Sequence, residues 1–115
     1  MLIFIGLLST MLERGLNSMY RVIDVNDSGK TKRLLEECSY RNGIFVCNHP
    51  ERVLDKCLAY NIDFHKIKSV YGYSEFTKKS KYLSLDDEVY IDDLEKFIKE
   101  AYGDRVHGYS LTVGD

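Results

Sequence analysis

Residues 44–47, Ile-Phe-Val-Cys, form an unbroken apolar run between two segments of helical periodicity, and that arrangement leaves few folds open. A strand with one wet face alternates apolar and polar residues. A strand that is apolar at every position must be covered on both faces, as in a parallel sheet with helices above and below it. The flanking segments fit this reading. Residues 30–40 carry Leu34, Leu35 and Cys38 at helical spacing and stop at Asn42-Gly43. Pro50 suits the first turn of a following helix, with Asn48 or His49 as cap and Val53, Leu54, Cys57 and Leu58 as its apolar face.

The same alternation extends in both directions. Residues 20–25 (YRVIDV) read as a strand ending in the turn cluster Asn26-Asp27-Ser28-Gly29. Residues 67–71 read as a third strand, followed by a short helical turn over residues 74–79. Val89-Tyr90-Ile91 is a fourth, running into Asp92-Asp93. Behind it Leu94, Phe97, Ile98 and Ala101 recur at i, i+3, i+4 and i+7, and Gly103 ends the helix. The tail alternates Val106, Tyr109, Leu111 and Val113, with a phase slip at Gly108. The expectation is an α/β domain with a mostly parallel sheet of about four to five strands and helices on both faces.

Size and charge narrow the function. A chain of 115 residues has room for one domain and buries a core without metals or disulfides. The net charge of −2 gives no global field toward nucleic acid or anionic membranes. Lys78, Lys79 and Lys81, with Lys66 and Lys68 nearby, read first as a solvated loop. A nucleic-acid contact, with Tyr71 and Tyr73 stacking on bases, is the alternative, although a sheet-edge cluster is the more economical account of the two tyrosines. The three cysteines include no C-x-x-C pair and leave one unpaired in any disulfide scheme, which suits the cytoplasm. Cys47, His49 and Cys57 match no usual zinc spacing, and Cys38 and Cys57 fall on apolar helix faces, so buried thiols are expected. His65 and His107 read as surface residues.

The apolar run at residues 1–12 is shorter than the ~20 residues a bilayer span requires, and it lacks the basic start and cleavage site of a secretory signal. Glu13-Arg14-Gly15 can be encoded by a purine-rich stretch resembling a bacterial ribosome-binding site just before Met19. Residues 1–18 are therefore expected to be a leader outside the fold, with Met19 as the native start and residues 19–115 as the domain.

Ser28-Gly29-Lys30-Thr31 stands at a strand-to-helix junction. Glycine there lets backbone amides approach a phosphate, the helix N-terminus adds positive potential, lysine neutralises the β and γ phosphates, and the hydroxyl after it binds Mg²⁺. Asp92 and Asp93 end an apolar strand, where the first carboxylate can complete a Mg²⁺ shell and the second can orient an attacking water. They can equally cap the helix that follows and complement its dipole.

Together these motifs resemble the first domain of superfamily-2-type helicases, which are P-loop NTPases, reduced to its minimum. Residues 28–31 resemble the phosphate loop, residues 43–50 (GIFVCNHP) the strand and turn that meets a nucleic-acid backbone, and residues 89–93 the D-E box. Residues 108–112 resemble the S-A-T segment that senses the γ-phosphate, with Ser110 and Thr112 at the matching hydroxyls. The whole is also similar to small P-loop proteins of phages and prophages of Gram-positive bacteria. The resemblance implies ATP with Mg²⁺ held by Ser28, Gly29, Lys30, Thr31, Ser110 and Thr112, metal ligation by Thr31 and Asp92, and Asp93 as the catalytic carboxylate.

Departures temper the activity it implies. Asp24 and Asp27 stand where small residues are usual, and two like charges ~4 Å apart oppose each other by about 4 kcal/mol at an effective dielectric of ~20. Asp93 replaces a longer glutamate, and a second motor domain is missing from the pattern. The expected function is a cytoplasmic phage or prophage accessory protein that binds ATP and hydrolyses it weakly or not at all. The alternatives are a non-enzymatic module that grips a protein partner, for instance to interfere with host defence, and a nucleic-acid-binding accessory.

Overall fold

The computed structural model describes Met19, Tyr20, Val22 and residues 29–110. The chain divides into two compact units, residues 31–107 and residues 1–30 with 108–115. The expected leader, Ser28, Asp24, Asp27, Thr112 and most of the first expected strand lie outside the described residues.

The first unit is built on helix α1 (Lys30–Tyr40), strand β1 (Ile44–Cys47), helix α2 (Val53–Tyr60), strand β2 (Ser69–Gly72), helix α3 (Tyr73–Lys79), strand β3 (Val89–Ile91) and helix α4 (Leu94–Tyr102). The strands pair in the order β2-β1-β3, and both pairings are parallel. Val46 stands opposite Tyr71 on one side and Ile91 on the other. Three strands among the described residues replace the four to five expected. Residues 106–110 form no strand, because the alternation breaks at Gly108.

All four residues of β1 are buried, as an unbroken apolar run in a central strand requires. Its neighbours lie on opposite flanks, and right-handed crossovers then place α2 and α3 on opposite faces of the sheet. On one face Ile44 and Val46 pack with Tyr73, Tyr71, Phe76, Leu83, Ile91 and Phe97. Tyr73 and Phe97 meet edge to face at 5.4 Å, and Phe76 lies 6.3 Å from Phe97. Alternation points Phe45 and Cys47 the other way, with Tyr90 opposite Phe45 in the neighbouring strand, and the other buried side chains include Leu34, Leu35 and Cys38 of α1 and Val53 and Cys57 of α2. Full burial of side chains such as Phe45 and Leu35 stabilises the fold by roughly 1.5–3 kcal/mol each.

The Asn42-Gly43 stop has two separate causes. Asn42 takes the left-handed conformation at φ 56°, which asparagine tolerates better than most residues, and the Gly43 N–H then donates to the Cys38 carbonyl at 2.9 Å. Gly43 is needed for space: a Cβ there would sit 2.6 Å from the Tyr90 ring. Two expected helix faces are narrower than the periodicity suggests. In α2 only Val53 and Cys57 are buried, while Leu54 and Leu58 are 48% and 71% exposed. In α4 no residue is fully buried. The cap expected before Pro50 is His49 by position, without a side-chain hydrogen bond, and the first turn is a 3-10 turn (Pro50–Arg52). Lys78 and Lys79 occupy the last turn of α3 instead of a loop.

Candidate functional site

The C-terminal ends of parallel strands are where an open α/β sheet leaves room for a ligand, above all between strands whose following helices lie on opposite faces. Here β1 has such a gap on either side, and the one toward β3 carries the carboxylates. β1 ends in Cys47, and β3 runs into Asp92-Asp93, with the Asp92 N–H still donating to the Val46 carbonyl at 2.8 Å.

The start of α1 reaches this edge. The Thr31 hydroxyl lies 3.2 Å from Asp92 Oδ1 and 3.1 Å from Oδ2, across 61 residues of sequence. Both residues are partly buried, so the bond joins two oxygen-bearing groups in a place still open to solvent. Hydroxyl and carboxylate oxygens are the hard donors that Mg²⁺ takes, and it usually keeps waters and substrate oxygens for its other positions. The pair therefore fits the metal that the P-loop resemblance implies. Among the described residues no group of three His, Cys, Asp or Glu side chains gathers to hold a metal by itself.

The corner beyond Asp92 is unusual. Asp93 adopts φ 60° and ψ 74°, although it is the N-cap of α4, a position where extended backbone is typical. Its carboxylate accepts from the Lys96 N–H at 3.3 Å and lies 3.7 Å from Lys96 Nζ. The Asp93 side chain is thus committed to the helix start, which realises the capping alternative directly.

Tyr73, the first residue of α3, crosses to this corner. Its hydroxyl donates to the Asp92 carbonyl at 2.5 Å and lies 3.3 Å from the Asp93 carbonyl. Burial, followed by the carboxylates of Asp93 and Asp92, pushes its phenol well above the ordinary tyrosine range. Cys47 is also buried at this edge. Its thiol is pushed up to about 11, by burial first and then by the Asp92 charge, so it is protonated and unreactive at neutral pH.

Of the residues singled out in the sequence, Thr31 and Asp92 are brought together and Asp93 adjoins them. Gly29 (φ 84°), Lys30 and Ser110 belong to the other unit. Tyr73 is only 3% exposed, which removes it from the base-stacking alternative. Tyr71 is half-buried beneath Lys79, whose Nζ lies 5.5 Å from the ring centre. All three cysteines are buried free thiols, as expected. His65 and His107 are exposed. An open hollow on α2, lined by Arg52, Asp55, Lys56, Ala59 and Tyr60, shares no residue with the strand-end site.

The sequence reading missed Tyr73 as part of this edge. The signal was its place directly after a parallel strand, where a long hydroxyl-bearing side chain can reach the next strand end. No helix among the described residues is long and apolar enough to cross a membrane. No protein-family model matches the chain, and no curated protein or solved structure matches it.

Proposed function

We propose that the chain binds a nucleoside triphosphate, ATP in the first instance, together with Mg²⁺ at the C-terminal edge of its sheet, and turns it over slowly if at all. The observation that carries this reading is the meeting of Thr31 and Asp92 at 3.1–3.2 Å, a hydroxyl from a helix start against a carboxylate from a strand end. Sequence adds Gly29 and Lys30 immediately before Thr31, the residue types that approach and neutralise phosphate oxygens. Ser28, Ser110 and Thr112 are further hydroxyls for the same phosphates by the P-loop resemblance. Mg²⁺, when bound, would neutralise charge on the phosphate oxygens, with Thr31 and Asp92 as its protein ligands.

Slow turnover follows from Asp93. A carboxylate engaged as the cap of α4 is not free to orient a water without releasing the Lys96 N–H. The biological reading is an accessory protein acting in the cytoplasm of a bacterial host, in line with the phage and prophage proteins that the motifs resemble.

The test is calorimetry of Mg²⁺·ATP binding to the full chain and to Lys30→Ala. Micromolar binding that is lost in the variant supports the site. Absence of binding in both proteins overturns it and favours a protein-gripping module that keeps the fold without the nucleotide.

A further inference from the structure

The Asp92-Asp93 corner is held from outside its own strand. Asp93 is one of three non-glycine residues with positive φ among those described, the others being Asn42 and Asn61. Asn42 and Asn61 terminate helices, where left-handed asparagine is common. Asp93 instead starts one. A non-glycine residue held there is strained and persists only when its surroundings impose it. The surroundings that do so are identifiable. The two carbonyls flanking the turn, those of Asp92 and Asp93, both face the hydroxyl of Tyr73, and the Tyr73 ring is fixed in the core against Phe97, Ile44 and Val46.

We infer that Tyr73 is a positioning residue. Its hydroxyl pins the left-handed corner and thereby holds the Asp92 carboxylate against Thr31. The inference deepens the nucleotide reading, on which its consequence for Mg²⁺·ATP rests, but the mechanical link from Tyr73 through Asp92 to Thr31 stands without it. The geometry gives a route for that link. The Asp92 N–H is fixed to Val46, so rotation about the Asp92 N–Cα bond swings its carbonyl and its side chain together. Without the hydroxyl, the corner can relax toward an extended N-cap, which rotates the Asp92 peptide and draws the carboxylate away from Thr31.

Tyr73→Phe keeps the ring in the core and removes only the hydroxyl. Two measurements on the full chain test the inference. The first is a double-mutant cycle in urea with Thr31→Val. Independent residues give unfolding constants that multiply, whereas linked ones depart from the product, here by about fivefold or more. The second compares ATP affinity with Mg²⁺ and with EDTA. Tyr73→Phe is expected to weaken Mg²⁺·ATP about tenfold and metal-free ATP less than about twofold, a split that general loosening of the core would not produce.

A multiplicative cycle overturns the inference, as does equal weakening of both ATP forms. A coupled cycle in a protein that binds no Mg²⁺·ATP upholds Tyr73 as the anchor of Asp92 and removes the nucleotide reading alone. In the wild type, the Tyr73 hydroxyl proton is expected as a slowly exchanging NMR resonance that Thr31→Val shifts. A hydroxyl exchanging at the rate of an exposed tyrosine would overturn the inference with no reference to the Phe variant.

Discussion

Thr31 and Asp92, 61 positions apart, share a hydrogen bond in which one hydroxyl faces both oxygens of one carboxylate. It ties the first turn of α1 to the end of β3. The bond therefore contributes to the fold as well as to the candidate site, and the two contributions are separable by experiment.

Thr31→Val keeps the β-branched shape and removes the donor. A hydrogen bond to a charged group contributes about 1.5–3 kcal/mol net, so the urea midpoint is expected to fall by that equivalent. Thr31→Ser keeps the donor and restores most of it. Equal stability of the Val and Ser variants would show that the bond contributes nothing to folding.

Asp93 caps α4, and the proposed function gives its carboxylate a second role. Asp93→Asn preserves an N-cap acceptor and tolerates the left-handed backbone, so stability should stay within about 0.5 kcal/mol. Asp93→Ala loses both and is expected to cost about 1–3 kcal/mol by chemical denaturation. If Asp93 also orients water, phosphate release falls to background in the Asn variant while the fold is intact. Unchanged release there assigns Asp93 to capping alone.

Gly43→Ala pushes a methyl group to within 2.6 Å of the Tyr90 ring. The ring is buried and its hydroxyl is tied to Glu88 at 2.9 Å, so it has little room to move. Overpacking of this kind costs about 1–3 kcal/mol. Adding Tyr90→Leu to Gly43→Ala should recover part of that loss, and thermal melts of the four proteins read it. No recovery would mean that Gly43 matters for a reason other than the ring.

Burial raises the thiols of Cys38, to about 12, and Cys47, to about 11, from an ordinary 9.0. A group whose folded pKa is raised adds stability that is complete below its unfolded pKa and is lost as pH rises above it. Stability is therefore expected to decline from about pH 9 upward, because the unfolded chain releases these protons first. Urea midpoints at pH 7, 8, 9 and 10 measure it. Cys38→Ala should flatten the slope, and an unchanged slope would exclude that thiol as a cause.

The parts legible in the sequence are those whose cause is local. The run at residues 44–47 announced a buried central strand, and Asn42-Gly43 announced the end of α1, although the glycine answers to Tyr90 and not to the turn. The helix start at Thr31 and the strand-to-helix junction after Ile91 marked the two halves of the candidate site. What the sequence concealed depends on tertiary context. Leu54 and Leu58 have the spacing of a buried face, but only the seam of Val53 and Cys57 meets the sheet. Tyr73 acts on backbone carbonyls, and a carbonyl acceptor leaves no residue type behind to be read.

The shallow seating of α4 sets an order of events. It touches the rest of the unit through half-buried residues such as Phe97, so its amide protons should exchange with solvent sooner than those of β1. Yet α4 is capped by Asp93, the corner of the candidate site. A ligand captured at Asp92 would slow the fraying of the helix behind it, and deuterium uptake along α4 would register occupancy beyond the residues that bind.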